Sequence, residues 1–234
     1  MEKETLNYSD SISNGDCVAV SDIHGCYDQF SMFLDWVRGS GARCILCGDM
    51  IDRGPNDLGV LERVHDLLQD PESWGLESFT ALLGNHEILL LGAIDGHGWQ
   101  DWVFNGGDWE NFERLKSHAN WIRKLPYYSV IGDTLFSHSG VFPGRDPQEH
   151  MVSSTLREQF VWNRGSFLRD GPRFEGWSPT LRKAVFGHTP KFEEGEGQPY
   201  RVPDAVCVDS GCFFSGNLTA YNSTQDTFKL FTAK

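Results

Sequence analysis

The chain has 234 residues, which is enough for one substantial hydrophobic core, and it carries a formal net charge of −13 at pH 7. This charge argues against a general binder of nucleic acid or of anionic membranes, because such proteins need a basic surface. The N-terminus is polar and acidic, and no apolar run resembles a signal-peptide core or a transmembrane helix. We therefore expect a cytoplasmic protein with a single domain over residues 1–234 and no nucleic-acid or membrane partner. The oligomeric state stays unknown at this stage.

The six cysteines raise the question of disulfides or a zinc site. Cys44 and Cys47 form a C-x-x-C pair, but they bracket an apolar dipeptide within an apparent buried strand. A zinc site would need a second ligand pair at matching spacing, and the sequence has no second C-x-x-C. We interpret the cysteines as small buried side chains in a reducing compartment.

The first part of the chain alternates apolar strands with amphipathic helices. A polar lead-in at residues 1–16 is followed by three such pairs, with strands predicted at 17–21, 43–47 and 79–83 and helices at 27–37, 58–68 and 87–93. This alternation predicts right-handed crossovers and a largely parallel sheet.

Residues 94–126 interrupt the alternation and predict a helical insertion over one edge of the site, with a helix near 109–124. The near-helical spacing of Trp99, Trp102 and Trp109 favours the core of this insertion over a base-stacking platform. The segment 105–108, Asn-Gly-Gly-Asp, fits either a substrate-side loop or a turn before a helix, and we favour the turn.

The second half returns to strands. Runs at 127–131 and 134–138 flank a Gly-Asp pair, which is the pattern of a hairpin, whereas 141–182 is rich in Pro, Gly and charge and predicts an irregular lobe. Further strands are predicted at 184–187, 205–208, 218–221 and 228–231. The fold class is therefore α/β with two sheets, at least one of them mixed.

Oxygen and nitrogen ligands follow the ends of these strands. Asp22 and His24 follow the first strand, and their spacing of two would point both side chains the same way on an extended backbone. Asp49 follows the second strand, and a carboxylate can bridge two cations. Asn85 follows the third strand and offers a carbonyl oxygen.

Two histidines, His138 and His188, also follow apolar runs. Each of these six residues has a structural explanation when taken alone, as a turn residue, a helix cap or a buried histidine. Their common position at strand ends makes a joint metal site the better interpretation.

The six ligands include no sulfur, which suits a site for two divalent transition metal ions, with Mn favoured and Fe or Zn as alternatives. Two cations about 3.5–4 Å apart would lower the pKa of a bridging water, orient a phosphoryl group and neutralise charge during in-line attack. Arg53 lies close to these ligands in the sequence, and its planar guanidinium is suited to binding two phosphate oxygens. The pattern therefore predicts metal-assisted phosphoester chemistry.

Three segments together resemble the signature motifs of the phosphoprotein phosphatase family. They are Asp22-Ile23-His24-Gly25, Gly48-Asp49-Met50-Ile51-Asp52-Arg53-Gly54 and Gly84-Asn85-His86-Glu87. The resemblance spans about residues 17–221 and is greatest to the small bacterial and lambda-type phage branch. Looser similarity adds four segments, Phe104-Asn105-Gly106-Gly107, Val161-Trp162-Asn163-Arg164, Phe186-Gly187-His188-Thr189-Pro190 and 208–219. The resemblance implies the calcineurin-like metallophosphatase fold, a two-sheet β-sandwich flanked by helices.

The resemblance also implies a role for each matching residue. The first metal would be held by Asp22, His24 and Asp49. The second would be held by Asn85, His138 and His188, with Asp49 bridging the two.

The remaining roles concern the substrate. His86 would be the general acid that protonates the leaving alkoxide, and Asp52 would orient its imidazole. Arg53 and Arg164 would bind the non-attacked phosphate oxygens. The sequence departs from the family pattern at two places. Ser21 replaces a glycine. The segment 138–140 differs from the common family versions, so the resemblance supports His138 as a ligand less strongly than it supports the other five.

We expect a metal-dependent phosphomonoester hydrolase, foremost a protein serine/threonine phosphatase, which uses direct attack by a metal-bridging hydroxide. Its substrate would be a phosphorylated protein or a small phosphoester. Hydrolysis of dinucleoside polyphosphates is the alternative, and Glu87, where that branch tends toward Asp, favours the first reading. A noncatalytic phosphate-binding module is the remaining possibility, although such a protein should have lost ligands or the acid.

Overall fold

The structure is a computed structural model, which describes residues 6–151, 157–175, 178–193 and 196–233. In these ranges the chain forms the following strands: β1 Cys17–Val20, β2 Arg43–Leu46, β3 Ser78–Ala81, β4 Tyr128–Ile131, β5 Thr134–Ser137, β6 Lys183–Phe186, β7 Lys191–Glu193, β8 Glu196–Gln198, β9 Tyr200–Val202, β10 Ala205–Cys207, β11 Asn217–Asn222 and β12 Thr227–Thr232.

The helices are shorter in the second half than in the first. They are α1 Tyr27–Val37, α2 Asp57–Gln69, α3 Asn85–Ile94, α4 Trp99–Phe104, α5 Phe112–Lys116, α6 Ala119–Ile122, α7 Pro147–His150, α8 Gln159–Trp162, α9 Ser166–Asp170 and α10 Cys212–Ser215. Single 3-10 turns lie at Glu72–Trp74 and Trp109–Asn111. No helix in the described ranges has both the length and the apolar character needed to cross a membrane.

Two mixed sheets of five strands form the centre of the protein. The first has the order β12-β11-β1-β2-β3, and the second has the order β4-β5-β6-β10-β9. In each sheet three neighbouring strands are parallel, namely β1, β2 and β3 in the first and β5, β6 and β10 in the second. The predicted α/β class with two sheets is confirmed, as is the hairpin that pairs β4 with β5.

The side chains of the central strands alternate between two hydrophobic layers. Ala19 of β1 and Ile45 of β2 face Val185 and Val206 of the other sheet, in a layer between the two sheets. The intervening residue Val18 faces the helices instead, in the larger core cluster. This period of two buries both faces of each strand and produces a sandwich with helices outside it.

The predicted helix near 109–124 is wrong as a single element. The chain there forms a 3-10 turn and the separate helices α5 and α6. Between them the hydroxyl of Ser117 donates to the carbonyl of Arg114 at 2.6 Å. Such a local hydrogen bond competes with the backbone ladder and interrupts the helix.

Candidate metal centre

Every predicted ligand follows the carboxyl end of one of the parallel strands. Asp22 and His24 follow β1, Asp49 follows β2, and Asn85 begins the helix after β3. The second sheet supplies His138 after β5 and His188 after β6. Because the carboxyl ends of the two parallel triplets lie together, residues from both sheets meet in one site.

The two sheets are joined directly at this site. The backbone N–H of His188 donates to Oδ2 of Asp22 at 2.9 Å. Nδ1 of His138 lies 2.8 Å from the carbonyl oxygen of Cys47, to which it donates. The hydroxyl of Ser21 lies 2.5 Å from Oδ2 of Asp22, so the serine that departs from the family pattern supports a ligand.

The backbone of the site is held in an unusual conformation. Asp22, His24, Asp49 and His188 have φ values of +53°, +46°, +54° and +69°. Left-handed backbone is uncommon for residues other than glycine and concentrates at functional sites. The expectation that Asp22 and His24 converge on an extended backbone is therefore wrong. They converge through tight loops, in which His24 N–H donates to Asp49 O at 3.0 Å.

The first ligand group surrounds one oxygen of Asp49. Nε2 of His24 lies 3.6 Å from Asp49 Oδ2 and 3.9 Å from Asp22 Oδ1. Nδ1 of His24 donates to the carbonyl of Ile51 at 2.8 Å, which leaves the lone pair on Nε2, and this lone pair accepts from Nη1 of Arg53 at 2.8 Å. These three side chains are almost fully buried.

The second group converges on the same oxygen from the other side. Nε2 of His138 lies 3.3 Å from Asp49 Oδ2, 2.9 Å from Asn85 Oδ1 and 3.1 Å from His188 Nδ1. When His138 is neutral, its donating Nδ1 leaves the lone pair on Nε2, which then lies among two oxygens and a second imidazole nitrogen. This set of oxygen and nitrogen donors without sulfur fits a divalent transition metal, and Asp49 is shared with the first group.

Burial and neighbouring charges shift the pKa values of the three histidine ligands in different directions. Burial lowers the pKa of His138, but Asp49 and Asp22 more than reverse this and raise it to about 10. Burial lowers the pKa of His24 to about 3 and that of His188 to about 2. The lowered pKa values keep His24 and His188 neutral at pH 7, which is the form in which an imidazole ligates a metal.

Glu87 holds the loops that carry the ligands. Its carboxylate accepts from the N–H groups of Asp49 at 3.0 Å, Met50 at 2.8 Å and Gly84 at 2.8 Å. The side chain is fully buried, and its partners are backbone N–H groups. Glu87 therefore holds the ligand loops, and its value as a marker between the two family branches stays a prediction.

His86 has its own partners beside the ligands. Its Nδ1 lies 2.7 Å from Oδ2 of Asp52, and the indole N–H of Trp102 donates to Oδ1 of the same carboxylate at 3.0 Å. Burial lowers the pKa of His86, but Asp49 and Asp52 together raise it by more than burial lowers it, so the net shift is upward. Nε2 of His86 is buried, lacks a hydrogen-bond partner among the described residues and lies 4.0 Å from Asp49 Oδ2.

Geometry alone also groups His86 with His24 and Asp49 as a possible ligand set. A histidine whose other nitrogen binds a carboxylate is a common metal ligand, as well as a common proton donor. If His86 is a metal ligand, a variant without its imidazole should lose one metal. If it is a proton donor, that variant should keep its metal content.

The two arginines lie beside different ligand groups. Nη1 of Arg53 lies 2.8 Å from Nε2 of His24, next to the first group. Arg164 is exposed, and its Nη1 donates to the hydroxyl of Thr189 at 3.0 Å, beside the second group. The segment before Arg164 is docked by Ser139, whose hydroxyl accepts from the N–H of Asn163 at 2.6 Å. Ser139 thus connects the ligand His138 to this arginine.

The structure brings all ten predicted site residues together. The residues that sequence reasoning missed are Glu87, as the partner of three backbone N–H groups, and Trp102, as the partner of Asp52. A glutamate three residues after Gly84 is a helix-capping signal, and it marks Glu87 in the sequence. No local pattern pairs Trp102 with Asp52, because the two lie 50 residues apart.

The comparisons with known proteins agree with this geometry. A model of the family described as calcineurin-like phosphoesterase matches residues 17–212. Serine/threonine-protein phosphatase 1 of Salmonella typhimurium is 40% identical over 211 residues, which cover 86% of this chain and 88% of that protein. The symmetrical bis(5'-nucleosyl)-tetraphosphatase of Nitrosospira multiformis is 31% identical over 174 residues, which cover 70% of this chain but only 58% of that enzyme.

A solved structure extends the likeness of the fold. A protein serine/threonine phosphatase from Saccharomyces cerevisiae superposes with a TM-score of 0.62 at 16% identity, over 97% of this chain and 85% of the yeast chain. The family match covers most of the chain, and the ligand geometry suits two metals. The chain therefore belongs to the calcineurin-like phosphoesterase family and is a metallophosphoesterase.

Proposed function

We propose that the protein is a phosphomonoester hydrolase that acts on phosphoserine and phosphothreonine in proteins. The observation that carries this proposal is the 40% identity to the Salmonella serine/threonine phosphatase across 88% of that protein. The tetraphosphatase of Nitrosospira multiformis is 31% identical over 58% of its length, and that of Dechloromonas aromatica is matched over 90% of its length but at only 24% identity. We further propose that the enzyme works in the cytoplasm.

Two divalent cations, with Mn favoured, would be held by the six ligands and would activate the attacking water and neutralise phosphate charge. The ligand roles are those inferred from the sequence, with Asp49 shared between the two groups. Its position supports this role, because Oδ2 lies 3.6 Å from His24 Nε2 on one side and 3.3 Å from His138 Nε2 on the other.

The protein's own residues would bind the substrate and move the proton. Arg53 and Arg164 stand on opposite sides of the ligand cluster, where their guanidinium groups would bind the two non-attacked oxygens of a phosphoryl group. His86 would donate the proton from Nε2 to the leaving alkoxide, while Asp52 holds Nδ1. Nε2 lies beside Asp49, is buried and has no hydrogen-bond partner in the described part of the chain, which supports this role.

The substrate is tested by one activity panel. The protein, stripped of metal and reconstituted with Mn²⁺, is assayed on phosphoserine, phosphothreonine and phosphotyrosine peptides, on para-nitrophenyl phosphate and on diadenosine tetraphosphate. A kcat/KM at least about tenfold higher for phosphoserine or phosphothreonine peptides than for the dinucleotide is expected. The reverse preference would replace the proposal with dinucleoside polyphosphate hydrolysis, which the 31% identity to the Nitrosospira enzyme also supports.

The role of His86 is tested by the variant His86→Asn. We expect a loss of about 100-fold or more in kcat on phosphoserine peptide, a much smaller loss on para-nitrophenyl phosphate, and unchanged metal content. His97→Asn, at an exposed histidine outside the site, is the matched control. Loss of one metal in His86→Asn would make His86 a ligand instead. Full metal occupancy in the wild type with no hydrolysis of any phosphoester would favour a noncatalytic module.

A further inference from the structure

The insertion contributes a direct contact to Asp52, the partner of the proposed proton donor His86. Trp102 lies in α4, its side chain is fully buried, and its indole N–H donates to Oδ1 of Asp52 at 3.0 Å. The other oxygen of Asp52 accepts from Nδ1 of His86 at 2.7 Å. Each carboxylate oxygen therefore has one donor, and the three side chains form a chain that ends at Nε2 of His86.

The conformation of Asp52 makes such support important. Asp52 and Arg53 are consecutive residues with φ values of +70° and +74°. Two left-handed residues in succession are costly and persist only when surrounding contacts hold them. The insertion supplies a contact to each of them, because the carbonyl of Gly106 accepts from the N–H of Arg53 at 3.0 Å.

The two glycines of the segment 105–108 are required by these same contacts. A Cβ on Gly107 would lie 2.4 Å from Cε2 of Trp102, and a Cβ on Gly106, which has φ +101°, would lie 2.8 Å from Cγ of Arg53. Only glycine lets the loop approach the indole and the arginine so closely. The simple-turn interpretation of this segment is therefore incomplete, since it packs against both side chains.

We propose that Trp102 is a positioning residue for proton transfer: its indole N–H holds the Asp52 carboxylate in the orientation that presents Nε2 of His86 to the leaving-group oxygen. This inference rests on the proposed role of His86. The insertion is then part of the catalytic apparatus through Trp102 and not only a cover over the site.

Trp102 also packs against Trp99 and Phe112, with ring centroids 5.3 Å and 5.4 Å away. A role in packing alone would make its N–H dispensable. The decisive replacement therefore removes the N–H and keeps the ring shape. Benzothienylalanine, in which sulfur takes the place of the indole N–H, does this at position 102 by nonsense suppression.

The experiment compares kcat on two phosphomonoesters whose leaving groups differ in their need for a proton. Benzothienylalanine at position 102 should lower kcat on phosphoserine peptide by about tenfold and on para-nitrophenyl phosphate by less than about twofold. Trp102→Phe should show the same split if it folds. Trp99→Phe, on the same helix and 41% exposed, should leave both rates unchanged.

The outcomes separate this inference from the proposed function. If His86→Asn shows the split between substrates and the benzothienylalanine protein does not, Trp102 only packs and the positioning role is rejected. If neither protein shows the split, the assignment of His86 itself fails. Equal losses on both substrates at position 102 would also overturn the proposal, because they would report general damage to the site.

Discussion

The backbone N–H of His188 donates to the carboxylate of Asp22 across 166 residues of sequence, and this bond joins the two sheets at their ligand-bearing ends. Asp22 follows a strand of the first sheet and His188 follows a strand of the second, so each partner in this bond is also a predicted metal ligand. The contact that positions these two ligands therefore also holds the two sheets together. Anything that binds the ligand cluster should also resist separation of the sheets.

Metal binding should stabilise the fold. A ligand present at about 100 times its dissociation constant stabilises a protein by about 2.7 kcal/mol per site. For a chain of this size we expect Mn²⁺ to raise the Tm of chelator-treated protein by roughly 5–10 °C per occupied site, or about 10–20 °C for two sites, as measured by calorimetry. The variant His138→Asn should lose at least the share of the second site, about half of this rise, whereas His97→Asn, at an exposed histidine, should keep all of it. An unchanged Tm on adding Mn²⁺ would contradict the cluster as a metal site.

Glu87→Gln should weaken the loops that carry the ligands. A glutamine amide replaces one acceptor oxygen with a donor, which would face backbone N–H groups and leave at least one of them unpaired. We expect a loss of about 2 kcal/mol in the free energy of unfolding in the metal-free protein, measured by urea denaturation, together with weaker Mn²⁺ binding. Glu113→Gln, whose side chain is 80% exposed, is the control. Equal midpoints for Glu87→Gln and wild type would show that the three bonds contribute little.

Asp57 should destabilise the folded protein at neutral pH. Burial raises the pKa of Asp57 to about 7, and the charge of Asp52 adds to this, while contact with the backbone of Asp52 opposes it only in part. Between about pH 4 and pH 7 the folded state keeps a proton that the unfolded state has lost, so stability falls as pH rises through this window.

Asp57→Asn removes this titration. The variant should gain stability relative to wild type as the pH rises from 4 to 7, reaching on the order of 2–4 kcal/mol above that window, since one pKa unit is worth about 1.4 kcal/mol. Urea denaturation at a series of pH values measures the difference. Asp28→Asn, at an exposed acid in the first turn of α1, should not show the same trend. A gain that does not depend on pH would rule out the proposed cause.

Arg164→Lys should weaken phosphate binding. A lysine keeps the charge but loses the planar pair of donors that matches two phosphate oxygens. We expect KM for a phosphoserine peptide and the inhibition constant of inorganic phosphate to rise together, each by about tenfold. Arg169→Lys, at a mostly exposed arginine paired with Asp170, should change neither constant. A normal inhibition constant in Arg164→Lys would place this arginine outside the phosphate site.

Much of the fold follows from local patterns. The apolar run from Cys17 to Val20 predicted β1, and in the structure Val18 and Val20 face the helices while Cys17 and Ala19 face the other sheet. The helix at 27–37 begins and ends where the periodicity predicts it. The prediction of one helix near 109–124 was wrong, because the backbone between α5 and α6 makes i→i−3 bonds and the Ser117 hydroxyl bonds the carbonyl of Arg114 in competition with the helical ladder.

The sequence by itself determined which residues are candidates for the metal site, because a ligand must have the right atoms and must follow a strand. Asp22 and His24 could be named from those two conditions, although the reason given for their convergence was wrong. Only the tertiary structure decided how they converge, since left-handed loops and bonds between distant segments leave no local signal. The contact of Trp102 with Asp52 belongs to this second kind, because it depends on where the insertion packs and not on the residues adjacent to either partner.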